Sequence, residues 1–218
     1  MLPLLSKALV ASSFALILST SFAQSARIPN GGKIIAYTDE LLAIKLSQKT
    51  MTAEKLLLGN DKYSQVLQVS TLEQVNNPWN AQISLNLKSQ GIKKTDTLLL
   101  KITARQTYSE IDDGSFGQVD VFINLIKHTG KPTNHTRLAI PKKWTTFYIP
   151  FYADNNAIEN EAKISLLMGG LPKQVLEFSE LELIDYNRKL PASDLPATET
   201  VPLEKQPETK SAESKEQA

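Results

Sequence analysis

An unbroken alternation of apolar and polar side chains in one stretch constrains the fold of this chain most. From Trp79 to Leu87 every second residue is apolar, and the residues between them are short amides and a serine. A period of two is typical of a β-strand with one face on a core and the other on water. The sequence therefore predicts a strand over residues 80–87, with Trp79 in the core and Asn80 and Gln82 exposed.

Strand patterns recur along most of the chain, whereas no convincing long helix is predicted. Turn-forming residues separate the strands, as in the Gly-Gly-Leu-Pro segment at 169–172. Residues 41–46 fit a helix or a strand equally well. About ten short strands at regular spacing predict an all-β fold, an antiparallel β-sandwich of the jelly-roll kind. The predicted strands are residues 34–37, 65–69, 80–87, 97–106, 118–127, 137–140, 144–151, 163–168, 176–178 and 181–186.

The first residues have the pattern of a signal peptide. Lys7 is the only charge before Arg27, an apolar run extends to about Leu18, and small residues precede Ala23. The run is shorter than the ~20 residues that a membrane-spanning helix requires. The sequence has no cysteine, which excludes lipid attachment through cysteine and favours a bacterial exported protein. We predict a signal peptide over residues 1–23 and a periplasmic or secreted mature protein with no membrane span.

Charge and composition exclude one class of ligand and indicate where the folded domain ends. The chain has 24 basic and 23 acidic side chains, so no basic face for nucleic acid is expected. From Arg188 onward there is no aromatic residue, and prolines recur among Ser, Thr, Ala, Glu and Lys. Such a segment buries too little apolar surface to offset its ordering entropy. We predict a β-sandwich domain over residues 24–187 and a disordered tail over residues 188–218.

The polar faces of three predicted strands supply candidate binding residues. Amides, an arginine and a carboxylate suit the recognition of sugar hydroxyls, because together they donate and accept hydrogen bonds. If the three strands are neighbours, their polar side chains form one groove. The alternative is a solvated face with an ion pair between two of these residues, Arg105 and Asp120, that adds little stability. The candidates are Asn80, Gln82, Arg105, Asp120 and Asn124.

Three aromatic residues are candidates for stacking on a sugar ring: Tyr108, Phe116 and Phe122. Sugar rings have apolar C–H faces that pack well on aromatic side chains. Tyr108 and Phe116 flank an acidic, glycine-containing loop, and loops at the edge of a sandwich often carry binding residues. The other interpretation of this loop is a solvated turn.

Motifs of catalysis are missing from the sequence. His128 and His135 lack the spacing of metal ligands, and no serine lies in a nucleophile-elbow motif. Glu180 and Glu182 share a strand face without an apolar pocket that would raise the pKa of either carboxyl. We therefore predict that the protein is not an enzyme and that it has no cofactor.

Several motifs between Trp79 and Tyr186 resemble those of a known family. Pro-Trp-Asn at 78–80 precedes Lys-Lys-Thr-Asp at 93–96 and Leu-Leu-Leu-Lys-Ile-Thr-Ala-Arg at 98–105. Lys-Lys-Trp-Thr-Thr-Phe-Tyr-Ile-Pro-Phe at 142–151 and Ile-Ser-Leu-Leu-Met-Gly-Gly at 164–170 follow. This order resembles the carbohydrate-binding modules of the galactose-binding-like jelly-roll superfamily, the type appended to bacterial glycoside hydrolases. The resemblance implies non-catalytic glycan binding, with a polysaccharide or oligosaccharide as partner.

The chain departs from this family at its aspartates. Asn80 stands where such modules commonly have Asp, and Ser179 and Glu180 stand where an Asp pair lies near a structural calcium. Calcium takes six or more oxygen ligands, and Glu180 is the one candidate ligand here. A second function stays open, an exported structural or protein-interaction module without a sugar ligand, since the sequence shows no catalytic domain for a binding module to serve. Its partner would be another exported protein.

Overall fold

The computed structural model describes residues 27–59, 62–87, 91–111, 116–126, 132–158 and 161–200. Within these ranges, eleven strands form two antiparallel sheets, as the predicted β-sandwich requires. The predicted signal peptide and residues 201–218 lie outside the described residues. No helix in the described part of the chain is long and apolar enough to span a bilayer.

The elements follow one another along the chain with short connections. A short helix, α1 (Thr38–Leu42), follows the first strand, and 3₁₀ helices form at Pro78–Asn80 and Ala192–Asp194. The strands are β1 (Lys33–Ala36), β2 (Leu46–Ser47), β3 (Met51–Leu57), β4 (Gln65–Thr71), β5 (Gln82–Asn86), β6 (Thr97–Ser109), β7 (Gly117–Asn124), β8 (Asn134–Ile140), β9 (Thr145–Tyr152), β10 (Lys163–Leu167) and β11 (Gln174–Asp185).

The two sheets pack face to face around one apolar core. The seven-stranded sheet has the order β2-β3-β4-β11-β6-β9, with β1 paired to the end of β11, and the four-stranded sheet has the order β5-β10-β7-β8. Alternate residues of each strand point inward, so Ile83 and Leu85 of β5 meet the core that Leu100 and Ile102 of β6 enter from the other sheet. Each such side chain contributes about 1.5–3 kcal/mol on burial. The sequence prediction of an all-β sandwich is confirmed.

Three strand assignments differ from the sequence prediction. The ambiguous residues 41–46 divide between α1 and β2. Strand β3 was not predicted, because adjacent exposed residues Glu54 and Lys55 interrupt its alternation near the sheet edge. The two predicted strands 176–178 and 181–186 are one strand, β11, with a bulge between Phe178 and Glu180 that shifts the period.

Trp79 is not a core residue, and the prediction that placed it there is wrong. Pro78 begins a 3₁₀ helix, which the side chain of Asn77 caps by accepting a hydrogen bond from the Trp79 backbone N–H at 3.0 Å. Proline cannot donate to a sheet ladder, so β5 begins only at Gln82. The Trp79 side chain is 42% exposed, whereas the alternating residues from Ala81 onward are buried as predicted.

The segment after Arg188 packs on the outer face of the seven-stranded sheet. Leu190 and Leu195 lie against Leu99, Ile184 and Tyr186 of that face. In addition, the Thr198 N–H donates to the Tyr148 carbonyl at 2.9 Å. The predicted boundary at residue 188 is therefore too early, because two leucines of this proline-rich segment cover apolar residues that the sheet leaves exposed. The folded domain continues to at least Thr198.

Candidate functional site

The three-strand groove expected from the sequence does not form. Strand β6 lies in the seven-stranded sheet, whereas β5 and β7 lie in the four-stranded sheet with β10 between them. Arg105 of β6 donates from Nε to Glu177 Oε2 at 2.7 Å, and its guanidinium lies 4.6 Å from the ring centroid of Trp144. Arg105 and Asp120 are thus on different sheets, and no ion pair between them exists.

The outer face of the four-stranded sheet nevertheless gathers several predicted residues with others that were not predicted. We call this surface the polar face. Residues paired across antiparallel strands point to the same side, and neighbouring strands lie about 4.8 Å apart, so four strands present a surface about 14 Å across. Its members are Gln82, Ser84 and Asn86 of β5, Lys163, Ser165 and Leu167 of β10, Gln118, Asp120, Phe122 and Asn124 of β7, and His135 and Arg137 of β8.

Aromatic rings occupy the middle of the polar face. Phe122 and His135 are cross-strand partners whose ring centroids lie 3.8 Å apart. Trp79 meets Phe122 edge to face, with a centroid distance of 5.0 Å and an interplanar angle of 65°, an arrangement that aromatic pairs favour. We call Trp79, Phe122 and His135 the aromatic trio. It provides an apolar platform on an otherwise polar surface.

Hydroxyl and amide groups border the aromatic trio. Ser165 pairs with Phe122 on one side and with Ser84 on the other, and the two serine Oγ atoms lie 2.9 Å apart. Asn86 and Asn124 occupy the next row of the face. Ser165 is fully buried, but Ser84, Asn86 and Asn124 are exposed or half-buried and both donate and accept hydrogen bonds. Each is held by a strand of a paired sheet, which limits the entropy lost when a ligand binds.

Asp120 is buried, and both of its carboxylate oxygens accept hydrogen bonds from Arg137. Arg137 donates from Nε to Oδ1 at 2.6 Å and from Nη2 to Oδ2 at 2.8 Å, the two-pronged geometry in which arginine binds carboxylates best. Burial opposes ionisation of Asp120, but the hydrogen bonds and charge of Arg137, with a smaller contribution from His135, hold its pKa below the ordinary value. The ionised carboxylate therefore orients Arg137, which reaches the surface beside the aromatic trio.

Gly169 holds Trp79 in place. A Cβ atom at this position would lie 2.6 Å from the carbonyl oxygen of Pro78 and would also clash with the carbonyl oxygen of Asn77. Only a residue without a side chain lets the 3₁₀ helix approach the end of β10 so closely. The Met168 N–H, next to this glycine, donates to the Ala81 carbonyl at 2.8 Å. The Gly-Gly pair predicted as a simple turn thus also positions an aromatic residue of the polar face.

Four predicted site residues lie off the polar face. Asn80 is exposed on the 3₁₀ helix ahead of β5, where its backbone carbonyl accepts a hydrogen bond from Thr50 Oγ1. Tyr108, in β6 of the other sheet, is 54% exposed, and Phe116, which directly precedes β7, is 55% exposed. Arg105 is the fourth. Residues 112–115 of the loop between Tyr108 and Phe116 lie outside the described residues, and the binding roles of all four stay predictions.

Glu180, the candidate calcium ligand, lies on the outer face of the seven-stranded sheet. Its Oε2 accepts a hydrogen bond from Thr103 Oγ1 at 2.8 Å and lies 3.2 Å from Lys101 Nζ. A lysine at this distance competes with a cation for the carboxylate. In the described part of the chain, no three His, Cys, Asp or Glu side chains cluster in a way that could hold a metal.

Sequence reasoning missed His135, Arg137, Ser165 and Lys163 as members of the polar face. The signal for Arg137 was present, because it is out of phase with Leu138 and Ile140, which are buried. The predicted strand began at residue 137 and therefore excluded His135, although β8 begins at Asn134. Lys163 and Ser165 could be assigned to the polar face only from the structure, in which β10 pairs with β5 on one side and with β7 on the other.

Comparisons with known proteins concern the fold. No family model matches the sequence, and no curated protein was found to be similar. Solved structures with a similar fold include a xylan-binding domain from Paenibacillus barcinonensis (12% identity, 71% of this chain and 96% of that chain, TM-score 0.46). Others are the N-terminal cellulose-binding domain of a Cellulomonas fimi β-1,4-glucanase (17% identity, 54% and 76%, TM-score 0.40) and a cyclase from Fischerella (13% identity, 76% and 90%, TM-score 0.49). Several of the structural neighbours are carbohydrate-binding modules.

Proposed function

We propose that this protein binds a polysaccharide or oligosaccharide, without catalysis, on the polar face of its four-stranded sheet. The observation that carries the proposal is the aromatic trio, which lies among hydroxyl and amide side chains on one sheet surface. A sugar presents the same combination, an apolar C–H face with hydroxyls around its rim. The 42% exposure of Trp79 leaves ring surface available for stacking.

The hydrogen-bonding groups of the polar face suit hydroxyls in number and kind. Gln82, Asn86 and Asn124 are amides and Ser84 is a hydroxyl, and all four are exposed or half-buried, whereas Ser165 is fully buried. A hydroxyl donates one hydrogen bond and accepts others, so partners with both capacities satisfy it in either orientation. Arg137 adds a donor whose orientation the buried Asp120 fixes.

The small number of carboxylates on the polar face supports binding without hydrolysis. Most glycoside hydrolases use two carboxyl groups about 5–10 Å apart across the scissile bond, one of them protonated. Among the described strand residues of this face, Asp120 is the sole carboxylate. Its lowered pKa keeps it ionised at neutral pH, so it is a poor general acid.

The proposal includes export to the periplasm or the cell exterior. The signal-peptide pattern of residues 1–23 supports this location. A protein in the periplasm or outside the cell encounters polysaccharides of the cell wall and of the environment, so the proposed location agrees with the proposed ligand class. Detection of the mature chain, cut after Ala23, in the periplasmic or culture fraction would support export.

Affinity electrophoresis against a panel of soluble polysaccharides tests the proposed function. We expect the native protein to be retarded in gels that contain at least one glycan, relative to a glycan-free gel and to a reference protein of similar size. The Tyr108→Ala variant serves as a matched control that lacks an exposed aromatic residue outside the polar face, and it should be retarded equally. A folded protein that no glycan retards would contradict the proposal and favour the structural or protein-interaction alternative.

A further inference from the structure

We propose that the glycan bound on the polar face is acidic, and that Lys163 recognises its anionic substituent, a carboxylate or a sulfate on a sugar ring. This inference rests on the proposed function of the polar face. It goes beyond that function because a surface of amides and hydroxyls alone would suit neutral glycans equally well.

Lys163 lies at one end of the polar face, on one of its two central strands. It begins β10, the strand between β5 and β7, and its cross-strand partners are Asn86 on one side and Asn124 on the other. The residue is half-buried. Its backbone is therefore flanked by two residues with neutral amide side chains, and a glycan bound across the three strands would cover it.

The side chain of Lys163 has no ionic or hydrogen-bonding partner among the described residues. The cations on the outer face of the other sheet are different, since Lys101 lies between Glu180 and Glu182 and Arg105 pairs with Glu177. On the polar face, the carboxylate of Asp120 is already bound through both oxygens to Arg137. The described part of the polar face thus carries one positive charge in excess.

This excess charge discriminates between ligands. A neutral glycan that covers Lys163 removes water from the ammonium and returns only hydroxyl contacts, which compensate the lost hydration poorly. An acidic substituent supplies a charge-assisted hydrogen bond, which is stronger than a neutral one. The face therefore favours a ligand that carries negative charge.

Lys163 lies close enough to the aromatic trio for one glycan to contact both. Phe122 pairs with Ser165, and Asn124 pairs with Lys163, so Phe122 and Lys163 are diagonal neighbours on adjacent strands. Diagonal neighbours lie about 7–8 Å apart. A sugar that stacks on the trio therefore has its own substituents, or those of the next sugar, within reach of the lysine.

Isothermal titration with paired polymers tests this inference. Polygalacturonate is compared with highly methyl-esterified pectin, and a sulfated carrageenan is compared with its desulfated form. We expect the native protein to bind one acidic polymer about tenfold more tightly than its neutral counterpart, the effect of one hydrogen bond to a charged group. The pair that shows this preference identifies the substituent, and the preference should shrink as salt is added.

The Lys163→Gln variant should lose the preference while it retains binding to the neutral polymer. The control is Lys55→Gln, which removes an equal charge from an exposed position on β3 of the other sheet and should behave as the native protein does. Equal binding of acidic and neutral polymers, or an unchanged preference in Lys163→Gln, would overturn the inference and leave glycan binding intact. Failure of the native protein to bind any polymer would instead overturn both the inference and the proposed function.

Discussion

Replacement of Phe122 by alanine is expected to weaken glycan binding about thirtyfold or more, because Phe122 is the shared contact of the aromatic trio. Its ring touches Trp79 on one side and His135 on the other, so its loss removes the centre of the platform. Central aromatic residues of binding surfaces commonly contribute 2 kcal/mol or more, which is about a thirtyfold change in Kd. Isothermal titration with the retarding glycan measures the effect.

The same variant should remain folded, since Phe122 lies outside the core between the sheets. Its thermal unfolding and circular dichroism are compared with those of the native protein to separate binding from stability. Trp79→Ala should likewise weaken binding with little loss of stability, because the Trp79 side chain is 42% exposed. Full binding by Phe122→Ala together with lost binding by Tyr108→Ala would show that the ligand binds beside Tyr108, which would contradict binding on the polar face.

Truncation of the chain after Asn187 is expected to lower the free energy of unfolding by about 2–5 kcal/mol, the cost of deleting a buried leucine side chain. The truncation removes Leu190 and Leu195 and uncovers the apolar residues that they pack against, Leu99, Ile184 and Tyr186. It also removes the Leu190 carbonyl, which accepts a hydrogen bond from the buried Thr97 hydroxyl at 2.6 Å. Urea denaturation measures the change.

A chain that ends after Thr200 is the matched control for this truncation. It lacks the last 18 residues but keeps the contacts that Leu190, Leu195 and Thr198 make with the seven-stranded sheet. We expect its midpoint in urea to equal that of the full chain. If both truncations left the midpoint unchanged, the segment from 188 to 200 would not be part of the folded domain.

The fold was predictable because alternation is a local property of each strand. In β5 and β9 the buried residues repeat with period two, so both the strands and their core-facing side chains follow from the sequence. Trp79 continues the same alternation in the sequence, but its side chain does not enter the core. Pro78 begins a 3₁₀ helix that Asn77 caps, and this local structure overrides the period of two.

The site was only partly predictable because strand pairing is not local. Strands β6 and β7 are consecutive in the chain and have similar polar faces, yet they belong to opposite sheets. This separation removed Arg105 from the expected groove and brought in Lys163 and Ser165 from a strand distant in sequence. Gln82, Asp120, Phe122 and Asn124 lie on one face as expected, although Asp120 is bound by Arg137 and not by Arg105.

Mapping of amide chemical shifts by nuclear magnetic resonance, during titration with a glycan that retards the protein, tests the central claim most directly. We predict that the largest shifts fall on strand residues of the polar face, such as Ser84, Phe122, His135 and Ser165. The amides of Lys101 and Arg105, on the outer face of the seven-stranded sheet, should not move. Shifts confined to that second face, or to the residues beside Tyr108 and Phe116, would contradict binding on the polar face.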